Sequence, residues 1–319
     1  MEELLRDFIN LDHASAVQVD HQTGYLHEGV LYFVERSIGN ERAYLELQDV
    51  CEFLSRSGIE GMTFPVRIRN DQYSISARDG SYVICQGFPP SGKVLPFSAQ
   101  QLADFHRVGA SYPYQPTTFS SYGGWRTLWA NRIDRFEAEV SRLYQERPVA
   151  DWHRAWIDAA PYVIGLGENA IQYLQESEQE SRHHEADQPT ITFDRYPTQS
   201  QTLIWFNELR QDHPSRDLAE AIRPMLLREN GAQEMTSFLQ NYQARSPLSF
   251  FGIRLLYARL LFPVHLLDQF RNAQADERGL MEETRQIFEN QKRYELHLKM
   301  FYEWLQLSAR DMQLPVLDW

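Results

Sequence analysis

The sequence predicts an α+β protein with a small, sheet-rich N-terminal lobe and a large, mainly helical C-terminal lobe. Three observations favour this arrangement. Before residue 88, runs of β-branched and aromatic residues lie on both sides of one amphipathic helical segment. The connector from Phe88 to Lys93 contains two prolines and a glycine, which interrupt regular secondary structure. After the connector, apolar residues recur at helical spacing. We therefore predict lobes at residues 1–88 and 89–319.

Each element of the N-terminal lobe has a local signal. Residues 25–34 have the β-branched and aromatic composition of a strand. A helix is predicted over 42–57, because apolar side chains recur there at 3.6-residue spacing and Gly58 supplies a C-terminal stop. Asp79-Gly80 is a typical hairpin turn. Further strands are predicted at 63–68, 72–76 and 81–87.

The helices of the C-terminal lobe are predicted from capping and amphipathic patterns. Ser98 and Gln101 have the spacing of a capping box. An apolar stretch at 248–267 is interrupted by two arginines and a histidine, so it predicts a buried helix rather than a membrane span. Three long helices are predicted from residues that share one helical face: Trp125, Trp129, Ile133, Phe136, Val140 and Leu143; Val163, Leu166, Ala170 and Leu174, with Pro161 near the start; and Ile287, Gln291, Tyr294, Leu298, Phe301 and Leu305.

A strand-like island interrupts the helical pattern between residues 190 and 206. The runs at 190–193 and 202–206 are rich in β-branched and aromatic residues. Asp194, Pro197 and Gln199 lie between them. We predict that the two runs pair as a hairpin inside the helical lobe.

Composition excludes several classes of function. The net charge is −13 and the sequence has no basic stripe, so neither nucleic acid nor an anionic membrane is an expected partner. Residues 1–7 do not form a basic segment followed by an apolar run, so no signal peptide is predicted. Cys51 and Cys85 lie in apolar runs and are predicted to be reduced core thiols.

The hairpin and the helix after it resemble a known group of enzymes. Kinases of the aminoglycoside- and choline-kinase-like superfamily have a His-Gly-Asp-x-x-x-x-Asn loop, a strand ending in Asp, and a helix beginning Asp-Leu-Ala. This chain has Asp194 in the loop and Asp217-Leu218-Ala219 at the helix. The string from Asp212 to Glu220, with Tyr122-Gly123-Gly124-Trp125 upstream, resembles the spore-coat kinase-like family, which includes CotS- and YutH-like endospore coat-associated proteins.

This resemblance implies a two-lobed, protein-kinase-like fold. It also implies a place in the coat of a bacterial endospore, with assembly from the mother-cell cytoplasm. Other spore-coat proteins would then be the partners. Asp212, Arg216 and Asp217 are interpreted as a structural signature, because the Asp that opens this helix in the family braces the catalytic loop and takes no part in the chemistry.

The resemblance further implies which residues would perform phosphoryl transfer. Asp194 is either a catalytic base or a turn-capping residue. Gln199 falls where the family has a metal-binding Asn, and Glu208 falls near its metal-binding Asp, so both would bind magnesium only in an active enzyme. The alternative for Glu208 is an exposed acidic residue of the loop. Arg36 and Glu46 are the nearest substitutes for the Lys–Glu pair that holds the phosphates of ATP, with surface roles as the alternative.

Two hypotheses about function follow. The Gly-rich loop, the Lys, the Asn and the second Asp are all missing or replaced, which favours a pseudokinase with a structural or scaffolding role. The alternative is an active small-molecule phosphotransferase that uses Mg and ATP with divergent ligands. A third hypothesis is a non-catalytic pocket between the lobes that binds a small molecule such as an amine.

Two further clusters contain residue types that bind ligands. His183, His184, Glu185 and Asp187 could ligate a metal, but they lack the converging spacing of a zinc site, so no metal is expected there. The Tyr112-Pro113-Tyr114 segment is interpreted either as loop packing or as exposed rings for a partner.

Overall fold

The computed structural model describes residues 14–20, 22–37, 39–68, 71–146, 151–178, 184–275 and 280–307. The predictions about a signal peptide and about His183 therefore lie outside the described residues. The chain forms two compact units. Unit 1 contains Met1–Ser121 and Pro189–Asp212, and unit 2 contains Tyr122–Gln188 and His213–Trp319. The lobe boundary after residue 88 stays a prediction.

An antiparallel sheet of six strands forms much of unit 1. The strand order is β1-β2-β3-β6-β4, and β5 also pairs with β6. Tyr82, Val83, Ile84 and Cys85 of β6 are all buried, so both faces of this strand are covered. The strands are β1 (Ser15–Val19), β2 (Gln22–His27), β3 (Val30–Arg36), β4 (Thr63–Pro65), β5 (Ser74–Ala77) and β6 (Gly80–Gly87).

The predicted strand at 25–34 is two strands joined by a tight turn. Glu28 and Gly29, between β2 and β3, have φ values of 48° and 80°. Positive φ at both central residues is the geometry of a two-residue hairpin whose twist matches that of the flanking strands. The prediction of one continuous run was therefore wrong, because composition alone does not reveal a turn whose first residue is a glutamate.

Helix α1 (Glu41–Arg56) crosses unit 1 as predicted. The Asn40 side chain accepts a hydrogen bond from the Ala43 amide and caps the N-terminus, and Gly58 follows the C-terminus at a φ of 90°. Cys51 of this helix and Cys85 of β6 are free and fully buried, as predicted. Burial raises the pKa of the Cys51 thiol, which keeps it protonated and unreactive.

Helix α2 (Ala99–Ala110) packs against a two-stranded hairpin. The predicted capping box of Ser98 and Gln101 opens the helix. The hairpin consists of β7 (Thr190–Phe193) and β8 (Leu209–Asp212). Gly109 of α2 lets the two elements approach closely, since a Cβ atom there would lie 2.6 Å from Thr190 Oγ1.

The hairpin has a different second strand from the predicted one. The run at 202–206 is buried from Leu203 to Phe206, but it does not pair with β7. Instead the Ile204 amide donates to the Gly61 carbonyl at 2.8 Å, and the Thr63 amide donates to the Ile204 carbonyl at 2.9 Å. The partner of β7 is β8, whose sequence Leu-Arg-Gln-Asp is mostly polar. The run at 202–206 therefore has the composition of a strand because it is buried by other contacts. The polar sequence of β8 did not predict a strand.

Unit 2 is built of helices. The stripe predicted on α3 is buried at all six positions. Pro161 lies well inside α4, which begins ten residues earlier than the proline suggested, at Asp151. The predicted closing helix breaks at Met300. The helices are α3 (Trp125–Gln145), α4 (Asp151–Ser177), α5 (Ser215–Leu226), α6 (Gly231–Gln243), α7 (Phe250–Leu261), α8 (Val264–Ala275), α9 (Leu280–Lys299) and α10 (Phe301–Trp304).

The apolar stretch near residue 260 forms two helices around Pro263, rather than the one that was predicted. The segment Phe250–Asn272 is long and apolar enough to cross a membrane, but 89% of its apolar 18-residue window is buried inside the protein. Its arginines are satisfied by neighbours within unit 2. Arg254 donates to Ser177 Oγ at 3.0 Å, and Arg259 donates to Ser215 Oγ at 3.1 Å. The prediction of buried helical structure is confirmed.

Candidate functional site

The β7–β8 hairpin brings Asp194 and Glu208 together in unit 1. Phe193 and Leu209 are the last paired residues of the two strands, so Asp194 and Glu208 leave the hairpin side by side. The Asp194 amide donates to the Glu208 carbonyl. The Asp194 side chain is 46% exposed and forms an ion pair with Arg210, with a distance of 3.2 Å between Oδ1 and Nε. The hairpin thus presents two carboxylates at one end.

The carboxyl group of Glu208 lies in an unfavourable environment for its charge. Its Oε2 atom is buried and has no hydrogen-bond partner. Burial, followed by the nearby charges of Glu35, Asp194 and Asp20, raises the pKa of Glu208 to about 7. The protonation state of Glu208 is therefore sensitive to pH near neutrality.

Among its charged neighbours, Glu35 on β3 has the largest effect on the pKa of Glu208. Its Oε1 atom is also buried without a partner, and burial raises its pKa despite a hydrogen bond with Gln22. Phe33, two residues earlier on the same face of β3, packs edge-on against Trp205 with ring centroids 4.8 Å apart. The strand that would carry the phosphate-binding Lys of a kinase therefore presents a carboxyl group to this site.

Asp20 fixes the turn between β1 and β2. Its side chain is 2% exposed and accepts hydrogen bonds from the Thr202 and Leu203 amides and from Lys93 Nζ. The distances are 2.8 Å for Thr202, 3.2 Å for Leu203 and 3.0 Å for Lys93. Burial opposes ionisation of Asp20, but the hydrogen bonds outweigh it and hold its pKa below the usual range. The turn is therefore tied to the segment between Gln201 and Glu208.

Arg36 and Glu46 contact protein groups and are not placed together as a phosphate-binding pair. Strand alternation turns Arg36 away from the face of Glu35, toward Asp79 and Tyr82. Glu46 accepts hydrogen bonds from the amides and hydroxyl groups of Thr117 and Thr118, at 2.6–3.0 Å. Among the described residues, no ion pair joins Arg36 to Glu46.

Gln199 is exposed, whereas Gln201, two residues later, has a buried side-chain oxygen without a partner. Asn207 also has a buried, unpartnered side-chain oxygen. Asp20, Glu35 and Gln201 were not predicted from the sequence, because the prediction was based on the position of a Lys and on the spacing of an Asn. In the part of the chain that the structure describes, no group of three or more His, Cys, Asp or Glu residues could hold a metal ion.

The three residues of the structural signature lie where β8 ends and α5 begins. Asp212 is buried on β8 in unit 1 and accepts a hydrogen bond from Ser121 Oγ at 2.8 Å. In unit 2, Arg216 and the fully buried Asp217 are in the first turn of α5. His213 lies just before that helix, and its Nδ1 accepts a hydrogen bond from the Ser215 amide at 3.0 Å.

The cluster around residues 184–187 has a structural environment. His184 Nδ1 accepts a hydrogen bond from the Ala186 amide at 3.1 Å. Asp187 is fully buried in unit 2, where Ser249 donates to it and His213 Nε2 lies 3.4 Å away. These contacts form a buried polar network within unit 2.

Comparisons with known proteins agree with these features. A model of the family described as "Spore coat putative kinase YutH" matches residues 2–301. The chain belongs to this spore coat family. The endospore coat-associated protein YutH of Bacillus subtilis (strain 168) is 30% identical to it, over 98% of this chain and 95% of that protein.

Solved structures show that the YutH-family chain has a kinase-like phosphotransferase fold. An aminoglycoside phosphotransferase from Alicyclobacillus acidocaldarius superposes with a TM-score of 0.63 at 13% identity, over 95% of this chain and 96% of that one. A microcompartment-associated aminopropanol kinase gives a TM-score of 0.57 at 13% identity, over 99% and 98% of the two chains. The predicted fold class and family are confirmed.

Proposed function

We propose that the protein is a non-catalytic, kinase-like component of the endospore coat, assembled from the mother-cell cytoplasm. Its membership of a spore coat family supports the association with the coat. The cluster of acidic side chains around Glu208 supports the absence of phosphoryl transfer and is the observation on which this proposal rests.

Phosphoryl transfer depends on positive groups that neutralise the charge of the transferred phosphate. The charges that act on Glu208 come from three further carboxyl groups, those of Glu35, Asp194 and Asp20. Lys93 and Arg210, two cations that contact this cluster, are already bound to Asp20 and Asp194. A triphosphate placed here would be repelled by carboxylates where a kinase supplies a Lys.

The turn between β1 and β2 adds a second argument. In protein kinases this turn is rich in glycine and covers the phosphates of the nucleotide. Here the Asp20 carboxylate accepts hydrogen bonds from the Thr202 and Leu203 amides, which hold the turn in place. Asp20 also adds a negative charge to the site. The turn is thus held by protein groups in place of a nucleotide.

One observation favours an active phosphotransferase as the alternative. Glu208 lies within electrostatic reach of Asp194 and has a buried oxygen without a partner, and a magnesium ion prefers such oxygen ligands. Under this alternative Mg and ATP are the cofactors and Asp194 is the base.

A thermal-shift titration with Mg-ATP separates the two functions. We expect no rise in melting temperature at about 5 mM Mg-ATP, because a ligand stabilises the folded state by RT ln(1 + [L]/Kd) only if it binds there, and the acidic cluster repels the triphosphate. Release of ADP with a panel of amine and amino-alcohol acceptors should also stay at the level of the buffer.

Variants make the negative result decisive. A magnesium-dependent rise that is lost in Asp194→Ala or Glu208→Ala, but kept in Asp71→Ala, would show that the protein is an active or nucleotide-binding kinase. Asp71 is the matched control because its side chain is 90% exposed. An active aminoglycoside phosphotransferase measured in parallel establishes that the assay detects nucleotide binding.

A further inference from the structure

Three neighbouring aromatic rings lie at helix α1 in unit 1, those of Phe53 and Tyr112 half-buried and that of Tyr114 exposed. The ring of Phe53 contacts that of Tyr112 at a centroid distance of 5.3 Å, and Tyr112 contacts Tyr114 at 5.6 Å. Tyr114 is 66% exposed, and Leu45 is 42% exposed. Leu45, Asp49 and Phe53 are spaced by four residues and therefore share one face of α1. We call these five residues the aromatic surface.

The aromatic surface is held rigidly by Glu46. This glutamate accepts four hydrogen bonds from Thr117 and Thr118, which follow Tyr114 closely in the chain. Burial opposes ionisation of Glu46, but these bonds lower its pKa to about 2. Glu46 is therefore charged at neutral pH and remains bonded to Thr117 and Thr118. The loop that carries Tyr112 and Tyr114 is thereby fixed to α1 before any partner arrives, which reduces the entropy cost of binding.

The charge next to the rings is negative. Asp49 is exposed and forms none of the ion pairs or hydrogen bonds found among the described residues. The pKa of Tyr112 is raised to about 12 by its burial and by the charge of Asp49, followed by smaller effects of Tyr114 and Glu46. Arg42 and Arg56 of α1 are paired with Glu46 and Glu52, and Arg67, which also interacts electrostatically with Asp49, is paired with Asp71.

We propose that the aromatic surface docks an arginine-bearing segment of a partner protein. Arginine fits both parts of the surface, because a guanidinium stacks on a tyrosine ring and pairs with a carboxylate at the same time. A net charge of −13 favours approach of a basic partner. Tyrosines on a fixed loop supply contact area with little loss of side-chain freedom. The surface contains none of the four carboxylates at Glu208, so this proposal is independent of nucleotide binding.

Fluorescence anisotropy with defined peptides tests the proposal. The probe is a labelled repeat of arginine and glycine, compared with the same peptide containing lysine or the neutral isostere citrulline. We expect the arginine peptide to bind the full-length protein most tightly. Tyr114→Ala should weaken binding about three- to five-fold, which is the size of an exposed cation–π contact. Asp49→Asn should weaken it by a similar factor, and Tyr114→Phe should retain binding.

Tyr144→Ala is the matched control, since Tyr144 of unit 2 is 58% exposed. Unfolding curves of Tyr114→Ala should match those of the wild type, because the ring is mostly in solvent. The proposal is overturned if the arginine peptide does not bind, or if Tyr144→Ala weakens binding as much as Tyr114→Ala. It is also overturned if the lysine and arginine peptides bind equally to every variant, since that result would reflect net charge alone.

Discussion

Glu208 combines burial and like charges in one side chain, and its protonation should control part of the stability of the protein. Its pKa is raised from 4.5 to about 7 in the folded protein. Between pH 4.5 and about 7, the unfolded chain has lost this proton while the folded chain still holds it. The free energy of unfolding therefore falls as the pH rises through this window, and the penalty is complete above it.

The substitution Glu208→Gln removes this titration. We expect the stability of the variant, relative to the wild type, to rise by on the order of 2 kcal/mol between pH 4.5 and about 8. Urea unfolding across this pH range measures the difference. Glu289→Gln is the control, because that side chain is 65% exposed on α9 and should show no such dependence. Parallel pH profiles for Glu208→Gln and the wild type would contradict the raised pKa.

Asp194 and Glu208 were predicted from the sequence, but the residues that determine their environment were not. Strand β3 contains no Lys, and Arg36 is its nearest cation. The alternation of the strand could have indicated Glu35 instead, because Phe33 is apolar and lies on the same face. Asp20 could not have been found, since its partners Lys93, Thr202 and Leu203 are distant in sequence and part of its hydrogen bonding comes from backbone amides.

At the scale of elements, local signals predicted helices better than strand pairing. Helix α1 and the stripe on α3 were predicted because periodicity and caps are local properties. The hairpin register was missed because an apolar run at 202–206 can be buried without pairing, while the true strand β8 is polar. Pairing depends on contacts that are distant in sequence, and composition does not encode them.

The contact between α2 and β7 depends on the lack of a side chain at Gly109. A Cβ atom there would lie 2.6 Å from Thr190 Oγ1 and 2.7 Å from the Ile191 amide nitrogen, closer than packed atoms approach. We expect Gly109→Ala to lower the free energy of unfolding by about 2–3 kcal/mol, because the helix and the hairpin must separate to make room. Equilibrium denaturation in urea measures the change.

Gly165 is the matched control for this substitution. It also lies in a helix, but a Cβ atom there would have no neighbour within 4 Å. Gly165→Ala should therefore stabilise α4 by up to about 1 kcal/mol, which is the difference in helix propensity. If both substitutions change stability in the same direction, the close approach of α2 and β7 is not what constrains Gly109.

At the scale of the whole molecule, the proposed function predicts that coat assembly does not need the acidic site. Spores of a strain that carries both Asp194→Ala and Glu208→Gln should contain as much of the protein in their coat as the wild type. Immunoblots of coat extracts measure the amount, and a fluorescent fusion should appear first in the mother cell. Gly109→Ala should reduce the amount, because a less stable chain is removed by proteases.

Loss of coat incorporation in the double variant would contradict a purely structural role, provided that its urea unfolding matches that of the wild type. In that case the catalytic alternative gains support, since only the two carboxylates differ.

Unit 1 is composed of two segments of the chain that are separated by residues 122–188. The ribosome therefore releases the sheet and α2 long before it releases β7 and β8. At about 5–20 residues per second, the interval from residue 121 to residue 212 lasts on the order of 10 s. During that time the surface of α2 that will receive β7 has no partner. A nascent chain of this protein consequently presents apolar surface to chaperones while unit 2 is still being translated.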